Sequence, residues 1–269
     1  MQLNPHGYLA VFSSLLYCCV LVTQADSHDI WITTMQDKLG TMYAIVHHGH
    51  PGDRKTPDAD KLFEFNMLAD GQATRSLLPG LKSRSQGGIP VLITEPVVIE
   101  SGFALLAARY DNGYWVKIQN GYRNTSKLQV PSAEDSLLSI KFAKALVSTK
   151  PAARHTYGIV IGHRLEIVPL SDPFVAQPED VLKVRVHFDG KPLPGVGVEA
   201  GDGVTPMDEK DIPRYQTDAE GIAAVKIAKA GPQLLVVDYI LSSIHPDLVN
   251  RELYNATLSF VVPATVTEK

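Results

Sequence analysis

The chain has 269 residues, 25 Lys+Arg against 29 Asp+Glu, and a formal net charge of −4. A pI near 6.1 argues against a nucleic-acid binder, which would carry a basic patch or stripe. At 45% hydrophobic and 20% charged it is too apolar for a disordered chain, and it is long enough for one large domain or two modest ones.

In chain order the first feature is an apolar run over residues 9–22, LAVFSSLLYCCVLV, followed by Thr23-Gln24-Ala25-Asp26-Ser27. The run is short for a membrane span, nothing comparable follows it, and Ala25 and Ser27 suit the small-residue positions of a signal-peptidase site. Residues 1–27 are therefore expected to be a signal peptide cleaved after Ser27, with Ala25 as the competing site. The n-region departs from the usual pattern in having no Lys or Arg. Both cysteines, Cys18 and Cys19, lie inside this run. A processed chain would carry no thiolate, which removes Zn-Cys and iron–sulfur sites, and a net charge of −3.

Short alternating or β-branched segments at 30–34, 41–48, 91–100, 104–110 and 113–118 read as strands, with a hairpin turn at Asp111-Asn112-Gly113. Residues 51–60 are charged and Pro-bearing and read as an exposed loop. The stretch 138–146 permits a helix behind a Ser132/Asp135 capping box, but its alternation favours a strand. A boundary falls near 162–169. Beyond it strands are expected at 181–188, 196–201, 221–227, 233–242 and 258–262, with turns at Asp70-Gly71 before the boundary and Asp189-Gly190 after it. The expectation is an all-β chain: a signal over 1–27, then two β-sandwich domains of immunoglobulin or prealbumin type, over 28–163 and 164–269.

Histidine placement carries the chemistry. His28 would open the processed chain, offering both its α-amine and its imidazole. His47, His48 and His50 follow; on an extended chain His48 and His50 share one face and His47 points the other way, while Gly49 lets the backbone bend. Imidazole sites without sulfur suit Ni²⁺, Co²⁺, Cu²⁺ or Zn²⁺. The expected site is His28, His48 and His50, with Asp29 as a carboxylate that orients an imidazole or simply caps a turn. Trp31 reads as a core or wall aromatic. His155, His163, His187 and His245 read as ordinary residues. No nucleophile elbow, P-loop, H-E-x-x-H or dinucleotide turn is present, so no enzyme is expected. Asn124 and Asn255 open triplets of the glycosylation type.

His28-Asp29-Ile30-Trp31, Gly49-His50-Pro51-Gly52, the segment from Lys141 to Val147, Leu165 to Leu170 with Asp172-Pro173, Asp189 to Gly195, and Thr217-Asp218 with Gly221 together carry a resemblance. The chain resembles bacterial periplasmic proteins related to the NikM-type substrate-specific component of nickel transport. Its latter half is similar to prealbumin and carboxypeptidase-regulatory sandwiches. The resemblance implies a periplasmic protein that binds nickel or cobalt and passes it to a separate membrane transporter. Two other readings stay open: a copper centre built on a histidine brace, as in oxidative enzymes or copper carriers, and a non-catalytic interaction module.

Overall fold

The computed structural model describes residues 28–69, 72–150 and 156–264. The apolar run with Cys18 and Cys19, the Asp70-Gly71 turn and His155 lie outside the described residues. Among the described residues no helix is long and apolar enough to cross a membrane.

Nearly all regular structure is β. The strands are β1 (Asp29–Gln36), β2 (Met42–His50), β3 (Asp53–Lys55), β4 (Leu62–Ala69), β5 (Arg75–Ser76) and β6 (Lys82–Gln86). Then come β7 (Ile89–Ile93), β8 (Phe103–Ile118), β9 (Gly121–Asn124), β10 (Asp135–Ser148), β11 (Leu165–Pro169) and β12 (Val181–Phe188). The last six are β13 (Lys191–Pro192), β14 (Gly197–Gly201), β15 (Arg214–Gln216), β16 (Ile222–Lys226), β17 (Gly231–Ser242) and β18 (Arg251–Val262).

They form three sheets. The middle one has nine strands in the order β15-β14-β17-β18-β10-β8-β4-β5, with β9 beside β8. Strands from either side of residue 163 meet in it, through the parallel pairing of β10 with β18 from Leu137↔Arg251 to Ala145↔Ser259. A five-stranded sheet, β1-β2-β7-β6 with β3 beside β2, covers one face; a four-stranded sheet, β11-β12-β13 with β16 beside β12, covers the other.

Both faces of the middle sheet are therefore cores, and its central strands are apolar on both sides. Along β8, Phe103, Leu105 and Ala107 enter the core with the four-stranded sheet, while Ala104, Leu106, Ala108 and Tyr110 enter the core with the five-stranded one. In β10, Ile140, Phe142 and Leu146 alternate in the same way with Ala143, Ala145 and Val147. The strand expected at 138–146 is thus present. Its spacing also permits a helix because two interleaved apolar faces fill helical spacings as well.

The hairpin expected at Asp111-Asn112-Gly113 is instead a bulge inside the continuous β8. Gly113 pairs with Ser139 and Asp111 with Ile140, leaving Asn112 without an opposite number. Gly113 takes φ +77°, Asp111 Oδ1 accepts its N–H at 3.0 Å, and Trp115 Nε1 donates to the Asn112 carbonyl at 2.9 Å. The Asn-Gly chemistry that suits a two-residue turn also suits a bulge, and the long partner β10 selects the bulge. The Asp189-Gly190 turn does join β12 to β13, with φ of 49° and 72°.

Candidate metal centre

The expected ligands sit where β1, β2 and β3 begin and end. The register sets Asp29 opposite Gly49, Ile30 opposite His48 and Trp31 opposite His47. After His50 the chain turns through Pro51-Gly52 into β3, so Asp53 returns opposite His50. Gly49 makes the turn possible: it takes φ +111°, and a Cβ on it would lie 2.2 Å from the Asp53 carbonyl oxygen. Only glycine fits so close an approach at that dihedral.

This hairpin brings His28, His48, His50 and Asp29 together. The His28 ring centre is 5.7 Å from that of His48 and 5.4 Å from that of His50. His50 Nδ1 lies 3.4 Å from Asp29 Oδ2, and His28 Nε2 lies 3.5 Å from Asp53 Oδ2. The Asp29 hydrogen bond raises the pKa of His50 against the opposing effect of burial.

His48 is the anomaly. Both of its ring nitrogens are buried without a hydrogen-bond partner. Burial first, and then the neighbouring Lys141 and His28, push its pKa down to about 4, while the Thr56 backbone pulls the other way. Its ring rests 5.3 Å from that of Tyr110. A neutral imidazole with two idle nitrogens is in the protonation state a metal requires.

Beneath the hairpin lies a polar row across the middle sheet. Tyr110, Lys141, Asn255 and Asp238 are successive register partners on β8, β10, β18 and β17. Asn255 Nδ2 donates to both Asp29 Oδ1 and Asp238 Oδ1 at 2.8 Å, which fixes the carboxylate that faces His50. Nearby, Thr257 Oγ1 donates to the Ile30 carbonyl at 2.8 Å and Ser259 Oγ to the Ile32 carbonyl, tying β1 to β18. Asn255 is 0% and Thr257 2% exposed, so the glycosylation-type triplet there is closed off in the folded chain.

His47 points away, as the alternation requires. It stacks on Trp31 at 5.0 Å and bonds Thr33 Oγ1 through Nε2 at 2.8 Å. Arg54 lies over the Trp31 ring, 4.3 Å from its centre, and donates from Nη2 to the Gly203 carbonyl at 2.6 Å. Trp31 is thus a buried core residue that seats the loop after β14. His163 packs on Phe142 at 4.9 Å, across the middle sheet from the hairpin; His187 lies in β12 and His245 in an exposed turn.

A cleft of about 390 Å³ opens beside the hairpin, with Asp29, His50 and Asp53 on one wall and Glu199, Asp202 and Met207 on the other. Burial opposes the charge of Asp202, but Lys229 and the Thr205 and Val204 donors hold its pKa below the carboxylate range. Arg214 pairs with Glu199.

With metal–nitrogen bonds of about 2.0–2.1 Å, imidazoles around one tetrahedral ion hold their ring centres about 5 Å apart. The spacings of the His28 ring from His48 and His50 are close to this. Among the described residues, however, no group of three or more His, Cys, Asp or Glu side chains stands in metal-binding geometry. Sequence reasoning missed Asp53, Lys141, Asp238 and Asn255. Asp53 was within reach, as the returning arm of a Pro-Gly turn; the other three depend on which strands pair.

No curated protein sequence matches the chain. Among solved structures it is similar to a chimeric titin Z1Z2 functionalized with a KLER exogenous peptide from decorin, at 15% identity and TM-score 0.18, over 87% of this chain and 97% of that one. It is also similar to a three-immunoglobulin structure of titin domains I67-I69 in an E-to-A variant, at 9% identity and TM-score 0.19, over 84% of this chain and 62% of that one. A family model, the domain of unknown function DUF4198, matches residues 25–240, and the chain belongs to that family.

Proposed function

We propose that this chain is a periplasmic protein that binds one divalent transition-metal ion, nickel or cobalt foremost, for delivery to a separate membrane transporter. The ligands are His28, His48 and His50, and Asp29 orients His50. The observation that carries the reading is His48, an imidazole with both nitrogens buried and idle, beside His28 and on the same strand end as His50. A buried polar group without a partner is costly unless something else satisfies it, and a metal ion is the partner an uncharged imidazole takes. If processing leaves His28 first, its α-amine adds a fourth nitrogen.

Calorimetric titration of the secreted protein with Ni²⁺, Co²⁺, Cu²⁺ and Zn²⁺ tests this. The expected result is one saturable site, abolished by His48→Ala together with His50→Ala. Absence of saturable heat with all four ions overturns it. Preference for Cu²⁺, with substrate oxidation in the presence of a reductant, would move the site to the copper-brace reading.

A further inference from the structure

Lys141, Asn255 and Asp238 form a chemically unusual set. Lys141 lies opposite Asn255 in the parallel β10–β18 register, and Asn255 opposite Asp238 in the β17–β18 pairing. Neighbouring strands are about 4.8 Å apart and opposite residues leave by the same face, a gap that the four-carbon stem of lysine spans. Lys141 is 1% and Asn255 0% exposed.

The contrast with Lys144 is informative. That lysine, equally buried, meets Glu166 Oε1 at 2.7 Å in an ordinary ion pair. Lys141 feels its nearest carboxylates, Asp238 and Asp29, through space only. What lies opposite it is a side-chain amide. The nitrogen of that amide is held by two carboxylates at 2.8 Å, and its carbonyl oxygen is buried without a partner. A buried nucleophile and a buried electrophile thus share one row with a half-buried acid at the leaving group.

We propose that Lys141 and Asn255 are the two partners of an intramolecular isopeptide cross-link that the folded chain forms by itself, with Asp238 as its acid. Lys141 Nζ, as the free amine, attacks Asn255 Cγ and the new C–N bond forms. Asp238 gives one proton to the Asn255 nitrogen and takes one from the attacking nitrogen, the Cγ–Nδ2 bond breaks, and ammonia leaves. The proton count of the carboxyl is unchanged, and no oxidant or reductant takes part. Burial favours the uncharged amine of Lys141, and burial with the neighbouring Asp29 charge favours the protonated form of Asp238. The link would staple β18 to β10, the pairing that joins the two parts of the middle sheet, in a chain that has no cysteine beyond Cys18 and Cys19.

Proteolysis of the folded wild-type protein followed by tandem mass spectrometry decides the matter. The expected product is a branched peptide joining the Lys141 and Asn255 segments, lighter by one ammonia than the two together, and missing from Lys141→Arg and Asp238→Asn chains. Recovery of both segments from the wild-type chain as separate, unmodified linear peptides overturns the proposal and leaves Lys141 as a counter-cation. The wild-type result decides even if the variants fail to fold. It involves no metal, so it stands or falls apart from the metal titration.

Discussion

Gly49 lies so close to Asp53 that a side chain at residue 49 would meet the Asp53 carbonyl oxygen at 2.2 Å. That contact closes the β2–β3 hairpin and sets where His48, His50 and Asp53 stand relative to His28. Gly49→Ala combines positive-φ strain, roughly 1–3 kcal/mol, with a backbone overlap that only movement of β3 relieves. The expected outcome in urea unfolding is a lower midpoint. Metal affinity should fall further than in a control variant of equal stability loss, such as Val225→Ala in the core with the four-stranded sheet.

The buried pair Lys144–Glu166 fastens the segment that leads into β11. Glu166 Oε1 accepts from Lys144 Nζ at 2.7 Å and from the Ile161 N–H at 2.9 Å, and Oε2 accepts from the Gly162 N–H at 3.0 Å. Removing one partner strands a charge in the core. Lys144→Met or Glu166→Gln alone should cost about 3–5 kcal/mol by equilibrium denaturation. The double variant Lys144→Met, Glu166→Gln should recover part of that loss, because no buried charge remains, while the Gly162 N–H keeps too few acceptors for full recovery.

Acid should destabilise this protein through imidazoles that are buried uncharged. Burial holds His163 down to about 4, and burial with Arg54 does the same for His47, from an ordinary value of 6.5. The unfolded chain therefore takes up these protons first. The stability these two groups contribute is full above pH 6.5, falls as pH drops from 6.5 toward 4, and is lost below 4. Each group adds about 1.4 kcal/mol per pH unit within that window. Urea midpoints measured from pH 7 to 4 should show the decline, and His163→Leu should flatten it. An unchanged slope in that variant would assign the acid response to other groups.

Much of the fold is legible in local pattern, because strands with one polar and one apolar side announce themselves by alternation. β1, β2 and β12 fall where the period of two places them, and the opposed faces of His47 and His48 follow from it. β18 was expected only over 258–262, yet it begins at Arg251. Its first half reads as polar because Asn255, Thr257 and Ser259 spend their hydrogen-bonding groups on Asp29, Ile30 and Ile32 inside the molecule. Alternation likewise marks Lys141 as a solvent-facing residue, whereas a second sheet covers that face. Strand pairing is a property of the whole chain, so the row from Tyr110 to Asp238 leaves no trace in the spacing of its members.

The sharpest separation of roles is between neighbours, His47 and His48. His47 is spent on Trp31 and Thr33, so His47→Ala should lower stability by opening a gap behind Trp31 while leaving the ligand set whole. His48→Ala should do the reverse, since it removes two unpartnered nitrogens from a buried place and deletes a proposed ligand. Thermal unfolding with and without a chelator distinguishes them. An ion at one hundred times its Kd adds about 2.7 kcal/mol to the folded state, so wild type and His47→Ala should both melt higher with metal than with chelator. His48→Ala should melt at the same temperature in both conditions. Equal metal-dependent shifts in all three proteins would show that any bound ion sits elsewhere, and the idle nitrogens of His48 would then need a different partner.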